Sequence, residues 1–169
     1  VWLDYIEDLD GTFIKDLTDK YQRRLILVFR RKNLEKTKLP LEERVKIISS
    51  LENSPALVDL DITTQKEELD SIKNQGLKIQ TIVSYHNYET TPSDEKLRDI
   101  INAMKLYKPT IFKISALCTN PEDALRLLQL LLDLKKENLP CIILGMDQAG
   151  IISRIFGTLW GNQMIFAPS

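Results

Sequence analysis

A chain of 169 residues, 43% of them hydrophobic, is long enough to bury one sizeable core, and a single domain is expected over residues 1–169. With 23 Lys and Arg against 24 Asp and Glu, the formal charge of -1 lacks the basic footprint of a nucleic-acid binder or of a protein held on an anionic membrane. No segment has the roughly 18 unbroken apolar residues of a membrane span, or the basic-then-apolar pattern of a signal peptide. Cys118 and Cys141 lack CxxC spacing, so neither a disulfide framework nor a zinc site is indicated. The expectation is a soluble, cytoplasmic protein with a small-molecule partner, no nucleic acid and no membrane.

The first apolar run, WLDYIE (2–7), predicts a strand ending at Glu7, and LILVF (25–29) predicts a second, followed at once by Arg30. LPLEERVKIISSLE (39–52) has helical spacing. ALVDLDI (56–62) predicts a strand carrying Asp59 and Asp61, and IQTIVSY (79–85) predicts another with His86 at its end. SDEKLRDIINAMKLY (93–107) predicts a helix capped by Ser93, with Leu97, Ile100, Ile101 and Met104 on one face. TIFKISAL (110–117) predicts a strand with Lys113 inside it. The clearest helix is NPEDALRLLQLLLDLKKEN (120–138), where Asn120 can cap, Pro121 takes the first helical position and acids precede bases. CIILGM (141–146), which ends at Met146, and QMIFA (163–167), which contains Phe166, are the last strand candidates.

Alternating strands and helices predict an α/β protein with a parallel sheet, its strands apolar because both faces are covered. No G-x-G-x-x-G or G-x-x-x-x-G-K-[ST] follows the first strand, which removes support from a nucleotide-binding open sheet. Polar or ionisable residues instead stand in or just after several strands: Glu7, Arg30, Asp59, Asp61, His86, Lys113 and Asp147 after Met146. In a (β/α)8 barrel these converge on one mouth, and that barrel is the predicted architecture. Only seven strand candidates are found, and a barrel typically takes about 250 residues, so one strand is expected to be absent at an end.

Two residues carry candidate chemistry. An ammonium inside an apolar strand costs several kcal/mol unless it sheds its proton or gains a partner. A neutral amine at Lys113 could attack a ketone and form an iminium, an electron sink for loss of a proton at the neighbouring carbon. The competing reading is a lysine that snorkels from a strand end or pairs with a carboxylate such as Asp59. His86, the only histidine in the chain, ends the preceding strand; it is either a general base and acid or a satisfied histidine at a strand-to-loop junction.

The segments IVSYHNYETTP, IFKISA and GIISRIFGTLWGNQMIFA, with their order and spacing of His, Lys and Ser-Arg, resemble the type I 3-dehydroquinate dehydratases of the shikimate pathway. The resemblance is strong over about residues 55–168 and looser over 1–35. It implies a lyase without metal or organic cofactor. Lys113 would form a Schiff base with the C3 ketone of 3-dehydroquinate. His86 would take a proton from C2 and return it to the departing C1 hydroxyl, a syn elimination that gives 3-dehydroshikimate. Arg154 matches the arginine that binds the substrate carboxylate, and Met146 and Phe166 match apolar pocket positions. Glu7 and Arg30 match substrate-binding residues on early strands, with Arg31 an alternative to Arg30. Asp59 and Asp61 resemble an acidic pair, one of which would position the lysine or the histidine.

The departures are specific. Leu9 stands where the family usually has an arginine, and RRKNLEKTK replaces an acid-Gly-Gly segment whose glutamate orients the histidine, leaving Glu35 as a substitute. Family members begin one strand earlier and continue through a lid loop and a final helix. The barrel is therefore expected without its first strand, lid and last helix in this chain. The alternatives are a non-catalytic or fragmentary homologue, another lysine-imine barrel enzyme such as an aldolase, or the dehydratase part of a bifunctional protein that also holds a shikimate dehydrogenase. Family members are often dimers, so a homodimer is compatible with the resemblance.

Overall fold

The computed structural model describes residues 1–6, 9–29 and 39–165. Among them, five strands lie in one sheet in chain order, with helices between successive strands. The chain divides into two compact units, Val1–Val83 and Ser84–Ser169.

The first unit begins with a correction. In place of the strand expected over 2–7, residues 2–6 form a single parallel bridge, Trp2 to Val28, followed by a 3-10 turn at Leu3–Tyr5, and Glu7 lies outside the described residues. Leu3 and Asp4 are both buried, at 0% and 3% exposure, and the Ile6 N–H closes the turn on the Leu3 carbonyl at 3.1 Å, a local bond made in place of a ladder bond. Helix α1 (Gly11–Tyr21), not foreseen, starts at Asp10, whose side chain accepts the Phe13 N–H at 2.7 Å. Strand β1 (Ile26–Val28) pairs in parallel with β2 (Leu57–Asp61), Ile26 opposite Leu57 and Val28 opposite Asp59. All five residues of β2 are buried, as a strand covered on both faces requires. Between them α2 (Leu41–Ser50) carries Arg44, which bonds Glu68 of α3 (Lys66–Gln75) at 2.7 Å through Nε and 2.6 Å through Nη2. Gly76 ends α3 in the left-handed conformation, φ 67°, that glycine adopts without a Cβ clash.

The unit boundary falls within β3 (Gln80–Asn87). The second unit continues with α4 (Asp94–Lys105), β4 (Ile111–Leu117), α5 (Pro121–Lys136), β5 (Cys141–Met146) and α6 (Asp147–Trp160). The expected caps form: Ser93 Oγ accepts the Lys96 N–H at 3.3 Å, and Asn120 Oδ1 accepts the Asp123 N–H at 2.9 Å. Ion pairs link α4 to α5, Arg98 to Asp133 at 2.9 Å and Lys105 to Glu137 at 3.0 Å. These groups are a third or more open to solvent, so each pair contributes about 0–1 kcal/mol. Leu97, Ile101 and Met104 are at most 1% exposed and each contributes about 1.5–3 kcal/mol, so apolar burial rather than charge holds α4 in place.

β4 and β5 pair in parallel from Phe112 opposite Cys141 to Leu117 opposite Met146. The other side of β5 is met by a side chain: Asn162 Oδ1 accepts the Ile143 N–H at 2.8 Å, and its Nδ2 donates to the Ile143 carbonyl at 3.0 Å. The Gln163 N–H adds a bond to the Cys141 carbonyl at 3.0 Å. The strand expected from residue 163 is thus absent over 163–165, because one amide side chain takes both backbone bonds of Ile143; residues 166 and 167 lie outside the described residues.

Candidate active site

The face on which Lys113 stands follows from glycine packing. A Cβ on Gly145 would lie 2.8 Å from Gly150 Cα and 2.9 Å from Ser153 Oγ, so Gly145 faces α6. Alternation places Cys141 and Ile143 on that side, and the register adds their partners Phe112, Ile114 and Ala116. Lys113, Ser115 and Leu117 therefore share the opposite face with Ile142, Leu144 and Met146. Lys113 and Ser115 are each only 6% exposed there. The sequence expectation of an ammonium-bearing side chain inside an apolar strand holds, and Met146 ends β5 on the lysine's face.

His86 is the penultimate residue of β3, half-buried, and its ring stacks on Tyr88 with centroids 6.1 Å apart and planes 10° from parallel. The loop beyond it is held at both ends. Asn87 Oδ1 accepts the N–H groups of Glu89 and Thr90 at 2.9 and 3.0 Å, a local turn that competes with continuation of the strand. Thr91 Oγ1 then donates to the Leu117 carbonyl at 2.8 Å, which fastens the loop after β3 to the end of β4. The loop that follows the imidazole is thereby fixed to the end of the strand that carries the lysine.

Arg154 lies on α6, two turns from its start and half-buried. The helix approaches β5 closely, because Ser153 Oγ accepts the Gly145 N–H and donates to the Gly150 carbonyl, both at 2.7 Å. A cleft of about 430 Å³ opens beyond the ends of β4 and β5, lined by Leu117, Cys118, Thr119, Asp147, Gln148 and Ala149. Asp147 begins α6 with φ 65°, a left-handed conformation that costs a non-glycine residue about 1–3 kcal/mol.

Burial raises the Cys118 thiol, with a hydrogen bond from Thr91 acting the other way, and raises the Cys141 thiol to about 11. Both thiols are free and buried, and neither is a thiolate nucleophile near neutral pH. In the first unit, Asp61 Oδ1 is committed to a turn, accepting the N–H of Thr63 at 2.9 Å and of Thr64 at 3.2 Å. Among the described residues, no group of three or more His, Cys, Asp and Glu could hold a metal ion, and no helix is long and apolar enough to cross a membrane. His86, Lys113, Met146 and Arg154 all belong to the second unit. Glu7, Arg30, Phe166 and the substitute Glu35 lie outside the described residues.

Residues that the sequence reading passed over do much of the positioning, Thr91, Gly145, Gly150 and Asn162, together with Ser153, which it had read only as part of the Ser-Arg pair. The short span GMDQAG between the two glycines, directly at a strand end, is the signal that could have marked a close strand-to-helix contact.

By fold the chain is an α/β protein whose five described strands succeed one another in chain order in one sheet, an arrangement consistent with part of a (β/α)8 barrel, with candidate chemistry toward the C-terminal ends of the strands. It belongs to the type I 3-dehydroquinase family, whose model matches residues 2–169. A 3-dehydroquinate dehydratase of Coxiella burnetii is 30% identical over 165 residues, covering 98% of this chain and 70% of the relative. The 3-dehydroquinate dehydratase of Enterococcus faecalis superimposes with a TM-score of 0.72 at 24% identity, over 95% of this chain and 72% of that one. The type I enzyme of Clostridium difficile does so at 0.73 and 22%, over 95% and 69%.

Proposed function

We propose that this chain dehydrates 3-dehydroquinate through an imine on Lys113, with His86 moving the proton. As a type I 3-dehydroquinase it is a hydro-lyase of the shikimate pathway; the assignment of roles to residues is our own reading. The observation that carries it is Lys113, 6% exposed in β4, with His86 at the end of the neighbouring strand β3. The Lys113 amine adds to the C3 carbonyl carbon, the oxygen leaves as water, and a C=N bond remains. The protonated imine withdraws electrons from C2, so His86 can remove a proton there. The C–H pair becomes the new double bond as the C1–O bond breaks, and His86 returns the proton to the departing hydroxyl. Water then cleaves the imine and regenerates the amine. Arg154 binds the carboxylate, and a two-point guanidinium contact orients the ring relative to Lys113. Met146 and Phe166 give the ring an apolar wall, while Glu7 and Arg30 hold its hydroxyls. The same reading places the protein in the cytoplasm, able to self-associate.

Borohydride reduction in the presence of 3-dehydroquinate, followed by peptide mass analysis, tests this. The expected result is a reduced adduct on Lys113 that Lys113→Ala abolishes, and that accumulates in His86→Ala because elimination stalls. Enone formation by a Lys113→Ala chain would overturn the covalent route.

A further inference from the structure

Ser84 stands on β3 two residues before His86 and so on His86's face of the strand. It is 1% exposed, and among the described residues its hydroxyl oxygen is a buried polar atom with no hydrogen-bond partner. A buried hydroxyl in that condition is unfavourable, and alanine would fill the position without the penalty. An orphaned hydroxyl on the face of a strand that also presents the candidate base has a natural partner in a polar group that arrives with the substrate. Depth says which group. Ser84 lies three residues below the end of β3 and Lys113 four below the end of β4, and the two strands are neighbours in the sheet. His86, one residue below its strand end, lies nearer the mouth. The hydroxyl thus lies deeper along its strand than the base does, as Lys113 lies deep along β4.

We propose that Ser84 is a further catalytic residue, whose hydroxyl donates to the ketone-derived oxygen while Lys113 adds to it. The proposal rests on the imine reading above. As the amine lone pair forms the N–C3 bond, the carbonyl π pair moves onto oxygen, and the Ser84 O–H stabilises that charge and passes it a proton. The nitrogen, now cationic, sheds one proton back to Ser84 Oγ, which ends the step unchanged. The carbinolamine hydroxyl then leaves as water on receiving a second proton, drawn from solvent through Ser84 Oγ, and the nitrogen lone pair closes the C=N bond with its remaining hydrogen in place, which gives the protonated imine. The substrate thereby supplies the partner that the buried hydroxyl lacks in the free protein.

The full chain, with 3-dehydroquinate, is mixed and quenched rapidly with borohydride so that imine formation is timed separately from enone appearance. Ser84→Ala is expected to slow imine formation about a hundredfold, the size of effect seen when one oriented donor to a developing oxyanion is removed. In a His86→Ala background, where elimination is stalled, the same substitution should slow imine accumulation by the same factor. Ser84→Thr, which keeps the hydroxyl, should restore it. The thermal midpoint of Ser84→Ala should equal or exceed that of the parent, since no bond within the protein is lost; a purely structural serine would lower it. Imine formation at the parent rate in Ser84→Ala would overturn the proposal while leaving the imine reading intact. A parent chain that yields no reducible adduct would overturn both.

Discussion

Gly150→Ala sets two effects of opposite sign against each other at a position that holds α6 to β5. In an exposed helix interior the change would stabilise by about 1 kcal/mol, because alanine loses less backbone freedom than glycine. Here the new Cβ would lie 2.4 Å from the Gly145 carbonyl carbon, 2.7 Å from its oxygen and 2.9 Å from its Cα, all backbone atoms that no side-chain rotation can move. Relief requires α6 to withdraw by roughly 1 Å, since carbon atoms pack at about 3.5–4.0 Å. Overpacking of this kind costs about 1–3 kcal/mol. Withdrawal also stretches the 2.7 Å bond from the Gly145 N–H to Ser153 Oγ, and a buried N–H left without its acceptor costs about 1–3 kcal/mol more. Set against the propensity gain, a net loss of about 1–5 kcal/mol is expected, seen as a lower urea midpoint at unchanged m-value. Arg154 lies one turn further along the helix, so KM should rise more than kcat falls. A variant as stable as the parent, or more so, would show that the strand-to-helix contact is looser than described and refute the packing argument.

Arg44→Ala should destabilise by about 3–5 kcal/mol in the same urea assay, because Glu68, 2% exposed at its side chain, would keep a buried charge without its partner. Arg44→Ala with Glu68→Gln should recover much of that loss, and a double variant no better than the single would rule out an unpaired carboxylate as the cause. Burial raises Cys141 from 9.0 to about 11, which favours the neutral thiol in the folded state. Its contribution is complete below about pH 9 and lost as pH rises from 9 to 11, up to roughly 2–3 kcal/mol at the top of that window. Cys141→Ala should therefore flatten the decline in stability between pH 9 and 11; identical slopes for variant and parent would contradict a buried, protonated thiol.

The parts of the fold that were legible in the sequence are those where one local rule decides. Asn120 followed by Pro121 and acidic residues can do little but open a helix, and CIILGM is an apolar run with a strand's length and composition. Lys113 was legible as an anomaly, a charge where neighbours on both sides are apolar. Helix α6 was not foreseen, although its sequence GIISRIFGTLW is apolar on several sides and broken by glycines, both of which obscure a helical stripe. Those glycines are there for proximity to β5, a tertiary demand that no window of sequence reveals. WLDYIE shows the reverse error, a strand composition overridden by a turn that closes from the Ile6 N–H onto the Leu3 carbonyl. The neighbourhood of His86 depends on Thr91 reaching a carbonyl 26 residues away, a contact invisible without the fold.

The order of the strands also bears on how the chain acquires its structure. Ile26 meets Leu57 and Phe112 meets Cys141, so each of these pairings closes over about thirty residues, with a partner already made when the next strand appears. At a ribosomal rate of about 5–20 residues per second, one such strand-and-helix step emerges roughly every 2–6 seconds, far slower than the closing of short loops. Each described strand can therefore dock as it is made, with no need to wait for a later segment to insert between it and its neighbour. A lesion such as Gly150→Ala falls after the five described strands have been made, so it should spare the docking of the strands before it.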